Sequence, residues 1–301
     1  MKPIMKRYTL KDFNVQFPTD ESCLEWLKNS RWPNGITCAK CQRVTKHYKV
    51  TGRQVYACDM CGSHVSPMAG TILEKTSTPL RYWFYAMFLM ASTRCGISAK
   101  QLERELGVTY KTAWRIFKQI RSMLTEDVVL EGSSVEVDET YVGGKDKNRH
   151  AYKRTGKRGR GAGGKTVVFG MVERQGRVIA QVVSDVQAAT LLPVIREKVL
   201  DRSTVYSDEM PSYDGLPKLG YQHRRIHHAS KVYVMGDVHT NTIEGFWSLV
   251  KRGISGVNHA VSEKYLQSYL NEYAFRYNRR EQEEPMFTAF LKQLPVSGEG
   301  E

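Results

Sequence analysis

Two cysteine pairs constrain this chain more than any other feature. Two residues separate Cys38 from Cys41 and Cys58 from Cys61, and sixteen residues lie between the pairs. That spacing lets two thiolates reach one ion from a tight knuckle, and two knuckles complete a tetrahedral Zn²⁺ site. Between them, Lys46–Val50 and Gln54–Ala57 read as the strands of a small hairpin. Four thiolates leave no open coordination position, so the pattern predicts a structural zinc ribbon rather than a catalytic metal. His47 and His64 could replace a cysteine, but four thiolates make that unnecessary. Cys23 and Cys95 fall outside the pattern and read as ordinary semi-buried thiols.

The alternative for clustered cysteines is disulfides, and the compartment argues against it. Met1–Leu10 has no apolar run followed by a small-residue cleavage site. The most apolar stretch, Tyr82–Thr93, has twelve residues without a charge. It is too short to cross a bilayer and reads as a buried helix. A cytoplasmic chain without a membrane partner is expected, and there thiols stay reduced.

At 301 residues, 41% hydrophobic and 25% charged, the chain suggests about two globular domains with proper cores. Residues 1–35 read as a helical lead-in, with Ser22–Leu27 its apolar-periodic part. Residues 36–70 carry the ribbon, and 71–131 form a helical domain. Near Glu131–Ser133 the period changes to strand-like alternation. Val167–Val172 and Arg177–Ser184 flank Gln175-Gly176 as a hairpin, followed by a helix over Ala188–Leu200 and a strand over Thr204–Asp208. Arg224–His227 suggests one more strand, and Thr240–Arg252 and Ser262–Tyr277 two closing helices. Residues 132–280 are thus a mixed α/β domain, one sheet flanked by helices. Residues 281–301 read as a peripheral tail after Pro285.

Within the helical domain, Ser98 can cap a helix over Ala99–Leu106. Gly107 permits a turn, Val108 plugs it, and Thr109 caps a second helix. In the second helix Ala113, Ile116, Phe117 and Ile120 share an inward face, while Lys111, Arg115, Lys118 and Arg121 point elsewhere. A glycine turn followed by a basic helix fits a helix-turn-helix reading the major groove, with Tyr110, Lys111, Arg115 and Lys118 contacting DNA. Two packed helices without DNA would show the same turn. Further on, residues 145–165 hold nine Lys or Arg against one acid, Asp146, a net +8 of the chain's +14. Such a field attracts polyanions. Arg154, Lys157, Arg158 and Arg160 are the candidate contacts of this basic segment, 143–165.

Three acids sit in differently shaped segments. Asp138 ends the alternating run Ser134–Asp138, Asp208 ends Thr204–Asp208, and Glu244 lies in a helical stretch. Two strand-end carboxylates and one from a helix can form a cage of oxygen ligands, which hard divalent cations prefer. Lys251, seven residues after Glu244, shares its helix face. Glu139 and Glu209 are adjacent acids, and alternation turns Glu139 to the opposite face from Asp138. Any one of these acids alone could be structural; together they predict a metal site.

These residues resemble the bacterial insertion-sequence transposases of the DDE class, specifically the group with an N-terminal zinc ribbon. The resemblance rests on Val135–Lys145 (VEVDETYVGGK), Tyr206-Ser207-Asp208 and His239–Gly253 (HTNTIEGFWSLVKRG), and spans Cys38 to about Asn278. It implies a ribonuclease-H-like catalytic core, with Asp138, Asp208 and Glu244 binding two Mg²⁺ ions and Lys251 as the trailing lysine. Some members carry Asn where this chain has Glu244. It implies a transposase that binds terminal inverted repeats through the ribbon and helix-turn-helix, cleaves a DNA strand and joins it to target DNA. Its partners would be double-stranded transposon-end and target DNA and a second copy of itself, at least a dimer on DNA. Ligand type does not rank Mn²⁺ against Mg²⁺. A nuclease that cuts without joining, and a DNA-binding regulator without catalysis, are the rivals.

Overall fold

The structure, a computed structural model, describes residues 7–93, 95–144, 150–153, 164–226 and 239–294. The chain divides into two compact units, Met1–Met123 with Glu281–Glu301, and Leu124–Arg280.

The first unit begins with two short helices, α1 (Leu10–Gln16) and α2 (Asp20–Arg31), each fixed at its start by a reciprocal capping box. Thr9 Oγ1 accepts from Asp12 N at 3.3 Å while Asp12 Oδ2 accepts from Thr9 N at 2.8 Å, which satisfies two end-of-helix donors. Strands β1 (Ile36–Cys38) and β2 (Arg43–Thr45) pair antiparallel. Strands β3 (His47–Lys49), β4 (Tyr56–Cys58) and β5 (His64–Val65) make a second small sheet. The uncharged stretch becomes α3 (Leu80–Ser92), with Trp83, Phe84, Met87 and Met90 fully buried. Then come α4 (Ala99–Leu106) and α5 (Tyr110–Ser122). Ser98 and Thr109 cap them, and Gly107 adopts the left-handed φ of 63° that closes the turn between them.

The far end of the chain departs from the expected peripheral tail. Residues Met286–Leu291 form a helix whose Phe287 is 3% exposed. Its ring centroid lies 4.8 Å from that of Tyr8, 5.9 Å from Phe13, 6.0 Å from Phe17 and 5.8 Å from Phe88. Phe287, Phe290, Leu291 and Leu294 recur at i, i+3, i+4 and i+7 and are all buried. Their apolar stripe completes the core of the first unit.

The second unit is built on a five-stranded sheet of β6 (Ser134–Val142), β7 (Thr166–Glu173), β8 (Val178–Val183), β9 (Thr204–Ser207) and β10 (Gln222–Arg225), in the order β10-β9-β6-β7-β8. β7 runs antiparallel to both β6 and β8, whereas β9 and β10 extend the sheet in parallel from β6. Helix α6 (Ala188–Lys198) connects the antiparallel part to the parallel part, and α7 (Asn241–Gly253) and α8 (Glu263–Asn278) close the unit. Alternation along each strand sorts its side chains to two faces. Val135, Val137, Phe169, Met171 and Val205 pack with Leu191 and Ile195 of α6. Val168, Val172 and Val178 pack on the other face with Ile243, Phe246 and Val250 of α7 and Leu270 of α8. The result is the expected mixed α/β arrangement, one five-stranded sheet flanked by helices.

The outer margin of β8 is bonded by side chains of α8. Val178 N donates to Asn278 Oδ1 at 2.7 Å, and Asn278 Nδ2 returns a bond to Val178 O at 3.2 Å. Val182 N donates to Gln267 Oε1 at 2.8 Å, and Gln267 Nε2 donates to Ala180 O at 3.0 Å.

Candidate metal centres and nucleic-acid surface

The two cysteine knuckles fold alike. Gln42 N donates to Cys38 O at 2.8 Å and Gly62 N to Cys58 O at 3.0 Å, with φ of 54° at Gln42 and 69° at Gly62. The knuckles bring Cys38 Sγ to 3.5 Å from Cys61 Sγ and Cys41 Sγ to 4.0 Å from Cys58 Sγ, and all four sulfurs lie within 4.8 Å of one another. The Thr45 hydroxyl, 3.2 Å from Cys58 Sγ, brings that thiol down to about 6. Cys41 is pushed up to about 12, first by its bond with Cys61 and then by burial. Thiols this close favour ionisation of one and protonation of another until a cation offsets their charge. None of the six cysteines is in a disulfide. The donor set and its closeness fit Zn²⁺.

In the second unit, parallel pairing brings two of the expected acids level. The register between β6 and β9 ends at Glu136 opposite Tyr206, and two more steps along each chain reach Asp138 and Asp208. Asp138, Glu139 and Asp208 each offer a carboxylate oxygen, and these oxygens lie within 4.8 Å of one another. Trp247 Nε1 donates to Asp138 Oδ2 at 3.0 Å, Tyr213 OH to Glu139 Oε2 at 2.8 Å, and Met210 N to Asp208 Oδ1 at 3.0 Å. Burial first, and then the charges of Glu139 and Asp208, lift the Asp138 carboxyl to about 7, against the pull of the Trp247 bond. Three carboxylate groups gathered this tightly fit a hard cation with oxygen ligands.

Glu139 enters this cluster although alternation turns its Cβ away from Asp138. Pairing with β9 has already stopped at this point of β6, so a long side chain can reach round the uncovered side of the strand. Glu244 does not belong to the cluster. It is exposed on α7, where its Oε1 accepts from Thr240 Oγ1 at 3.2 Å, one turn before Trp247. Lys251 is also exposed on that helix.

Glu136 is a further acid that sequence reasoning passed over. It is fully buried and accepts from Arg174 Nε at 2.9 Å, Thr242 N at 2.8 Å, Thr242 Oγ1 at 2.9 Å and Ile243 N at 3.1 Å. Its signal was an acid sharing the period of Asp138 and Thr140 between Val135 and Val137.

On α5, Tyr110, Lys111, Arg115 and Lys118 are all exposed, and the three cations recur at i, i+4 and i+7 as one outward stripe. Arg115 is tethered, with Nη2 3.5 Å from the hydroxyls of both Thr76 and Thr78. Arg121 departs from the expected outward group: it is 4% exposed, and its guanidinium lies 3.9 Å from the Phe117 ring centroid. Arg154, Lys157, Arg158 and Arg160 lie outside the described residues. No helix among the described residues is long and apolar enough to cross a membrane.

Comparison with known proteins agrees with this layout. Residues 129–278 match the family model of the ISXO2-like transposase domain, and residues 18–64 match that of the transposase zinc-ribbon domain. An uncharacterized protein in transposable element ISH50 of Halobacterium salinarum is 31% identical over 274 residues, 86% of this chain and 91% of that protein. An uncharacterized transposase-like protein of Haemophilus influenzae is 37% identical over 118 residues, 39% of this chain and 93% of that protein. Among solved structures, a pre-cleavage Mos1 transpososome aligns with 15% identity over 76% of this chain and 82% of that one, at a TM-score of 0.28. With a four-cysteine ribbon ahead of a mixed α/β unit, and a relative matched over nearly its whole length, the chain belongs to the ISXO2-like transposases that carry an N-terminal zinc ribbon.

Proposed function

We propose that this transposase cuts and joins DNA itself, binding the terminal inverted repeats of its element and transferring the cut strand into target DNA. The observation that carries this reading is the convergence of Asp138 and Asp208 at neighbouring strand ends, with Glu139 beside them. Asp138, Asp208 and Glu244 would hold two Mg²⁺ or Mn²⁺ ions. Bound there, the cations would supply Lewis-acid stabilisation of the attacking and leaving oxygens of a phosphodiester.

The remaining work falls to the chain's own groups. Glu244, one turn before Trp247 on α7, would exchange its present bond to Thr240 for the cation. Lys251 steadies a phosphate along the exposed face of α7. Water is the nucleophile for cleavage, and the freed 3′ hydroxyl is the nucleophile for joining. Tyr110, Lys111, Arg115 and Lys118 grip the transposon end, assisted by the basic insertion with Arg154, Lys157, Arg158 and Arg160. Zn²⁺ on Cys38, Cys41, Cys58 and Cys61 is structural. Joining two ends needs two active sites, so the working form is at least a dimer on DNA.

Purified zinc-loaded protein, Mg²⁺, labelled end DNA and a target plasmid provide the test. Joined product is expected. Cutting without joining would support the nuclease reading, and retarded but intact DNA the regulator. Asp138→Ala should abolish cutting and joining while DNA binding persists; loss of binding would make Asp138 a structural residue.

A further inference from the structure

Helix α7 touches β6 at two polar points. At the first, Glu136 accepts the backbone N–H groups of Thr242 and Ile243, at the start of the helix, where a negative charge also meets the positive end of the helix dipole. Arg174 offsets the buried charge, donates its Nη2 to His239 O at 2.9 Å and stacks 3.9 Å from the Tyr206 ring centroid. His239 Nδ1 lies 3.1 Å from Glu136 Oε1 but off the line a hydrogen bond needs. At the second point, Trp247 donates its indole N–H to Asp138.

The spacings on the two elements match. Glu136 to Asp138 spans about 6.6 Å along a strand, and Ile243 to Trp247 about 6 Å along a helix. Both bonds form together in one register, and a slip of one helical turn, about 5.4 Å, would break both. Gly170, which faces Asp138 across β6 and β7, makes the second contact possible. A Cβ there would sit 2.3 Å from Trp247 Cζ2 and 2.7 Å from Cη2, so only glycine lets the indole lie flat on the sheet. We infer that Glu136 and Trp247 set the register of α7 on β6, and that Trp247, seated in the slot at Gly170, is a positioning residue that orients Asp138 for cation binding. The same clamp fixes the height of Glu244 relative to Asp138. This rests on the cation-site reading above.

The test is Mn²⁺ binding to the zinc-loaded full chain, followed by loss of the free Mn²⁺ paramagnetic resonance signal, with thermal unfolding run in parallel. Trp247→Phe keeps a ring in the slot and removes the donor. It should melt close to wild type yet bind Mn²⁺ about 10- to 100-fold more weakly, as removal of a partner bonded to a metal-holding carboxylate does. Gly170→Ala, which expels the indole, should weaken binding in the same direction. Wild-type affinity in Trp247→Phe overturns the positioning role alone, whereas a wild-type chain that binds no Mn²⁺ sinks the cation site and this inference with it. Should Trp247→Phe fail to fold, the unaltered chain still decides. Of its five tryptophans only Trp247 lies within residues 124–280, so one indole ¹⁵N–¹H signal should move on adding Mg²⁺. If none moves, the inference fails.

Discussion

Replacing Phe287 with alanine would measure how far the last helix holds the first unit together. The ring is 3% exposed and packs among Tyr8, Phe13, Phe17 and Phe88, four residues from the first third of the sequence. Truncating a buried phenylalanine costs about 3–5 kcal/mol, from lost transfer energy and the cavity left behind. The edge-to-face geometry against Phe17 and Phe88 favours the upper half of that range. Domains are stable by only about 5–15 kcal/mol, so this one side chain is worth about a quarter or more of the total. For a unit of this size each kcal/mol moves the midpoint by about 2–4 °C, which gives a fall of roughly 10–15 °C. The assay is thermal unfolding of the zinc-loaded full chain by near-ultraviolet circular dichroism, where four of the five tryptophans report on residues 1–123. Truncation after Arg280 removes Phe290, Leu291 and Leu294 as well and should abolish the cooperative transition of that unit. A midpoint within about 2 °C of wild type would refute the reasoning, because a core ring cannot be removed so cheaply.

Three further outcomes are expected. Unfolded, Asp138 has a pKa near 3.9, but folding lifts it to about 7. The folded chain therefore keeps a proton that the unfolded chain releases, and this stability is full below about pH 4 and lost as pH rises to about 7. Without divalent metal, wild type should lose more stability between about pH 5 and about pH 8 than Asp138→Asn does, read from urea midpoints; equal pH slopes would contradict this. Cys58→Ser, or a strong chelator, should release zinc to a colorimetric dye and melt the small strands of the ribbon, and a wild-type chain found without zinc would be the contrary result. If α5 lies on DNA, Lys111→Ala and Lys118→Ala should each reduce the salt slope of DNA binding by about 1, and unchanged slopes would place the DNA elsewhere.

What could be read from the sequence was what short-range pattern encodes. The cysteine spacing, the Ser98 and Thr109 caps around Gly107, and the change to alternation after Gly132 all depend on residues a few positions apart. What escaped depended on partners far away in the chain. The stripe of Phe287, Phe290, Leu291 and Leu294 shows a buried face, but its partner rings lie in the first third of the chain. Glu136 is an acid on an inward period whose donors sit on a helix about a hundred residues later. Glu139 obeys strand alternation, yet its length and the early end of pairing with β9 carry its carboxylate round to Asp138. Arg121 was grouped with outward cations by charge, whereas its flat guanidinium is accommodated against Phe117. Glu244 is the converse case: motif order groups it with Asp138 and Asp208, but its side chain bonds locally to Thr240.

Gln267 and Asn278 carry a consequence for whether another strand can add to the sheet. An open strand margin invites another chain to add itself, the route to fusion of sheets and to aggregation. Here two carboxamides bond Val178 N and O, Ala180 O and Val182 N along that margin. A strand arriving from outside would therefore meet side-chain amides in place of the free backbone groups at Val178, Ala180 O and Val182 N on β8.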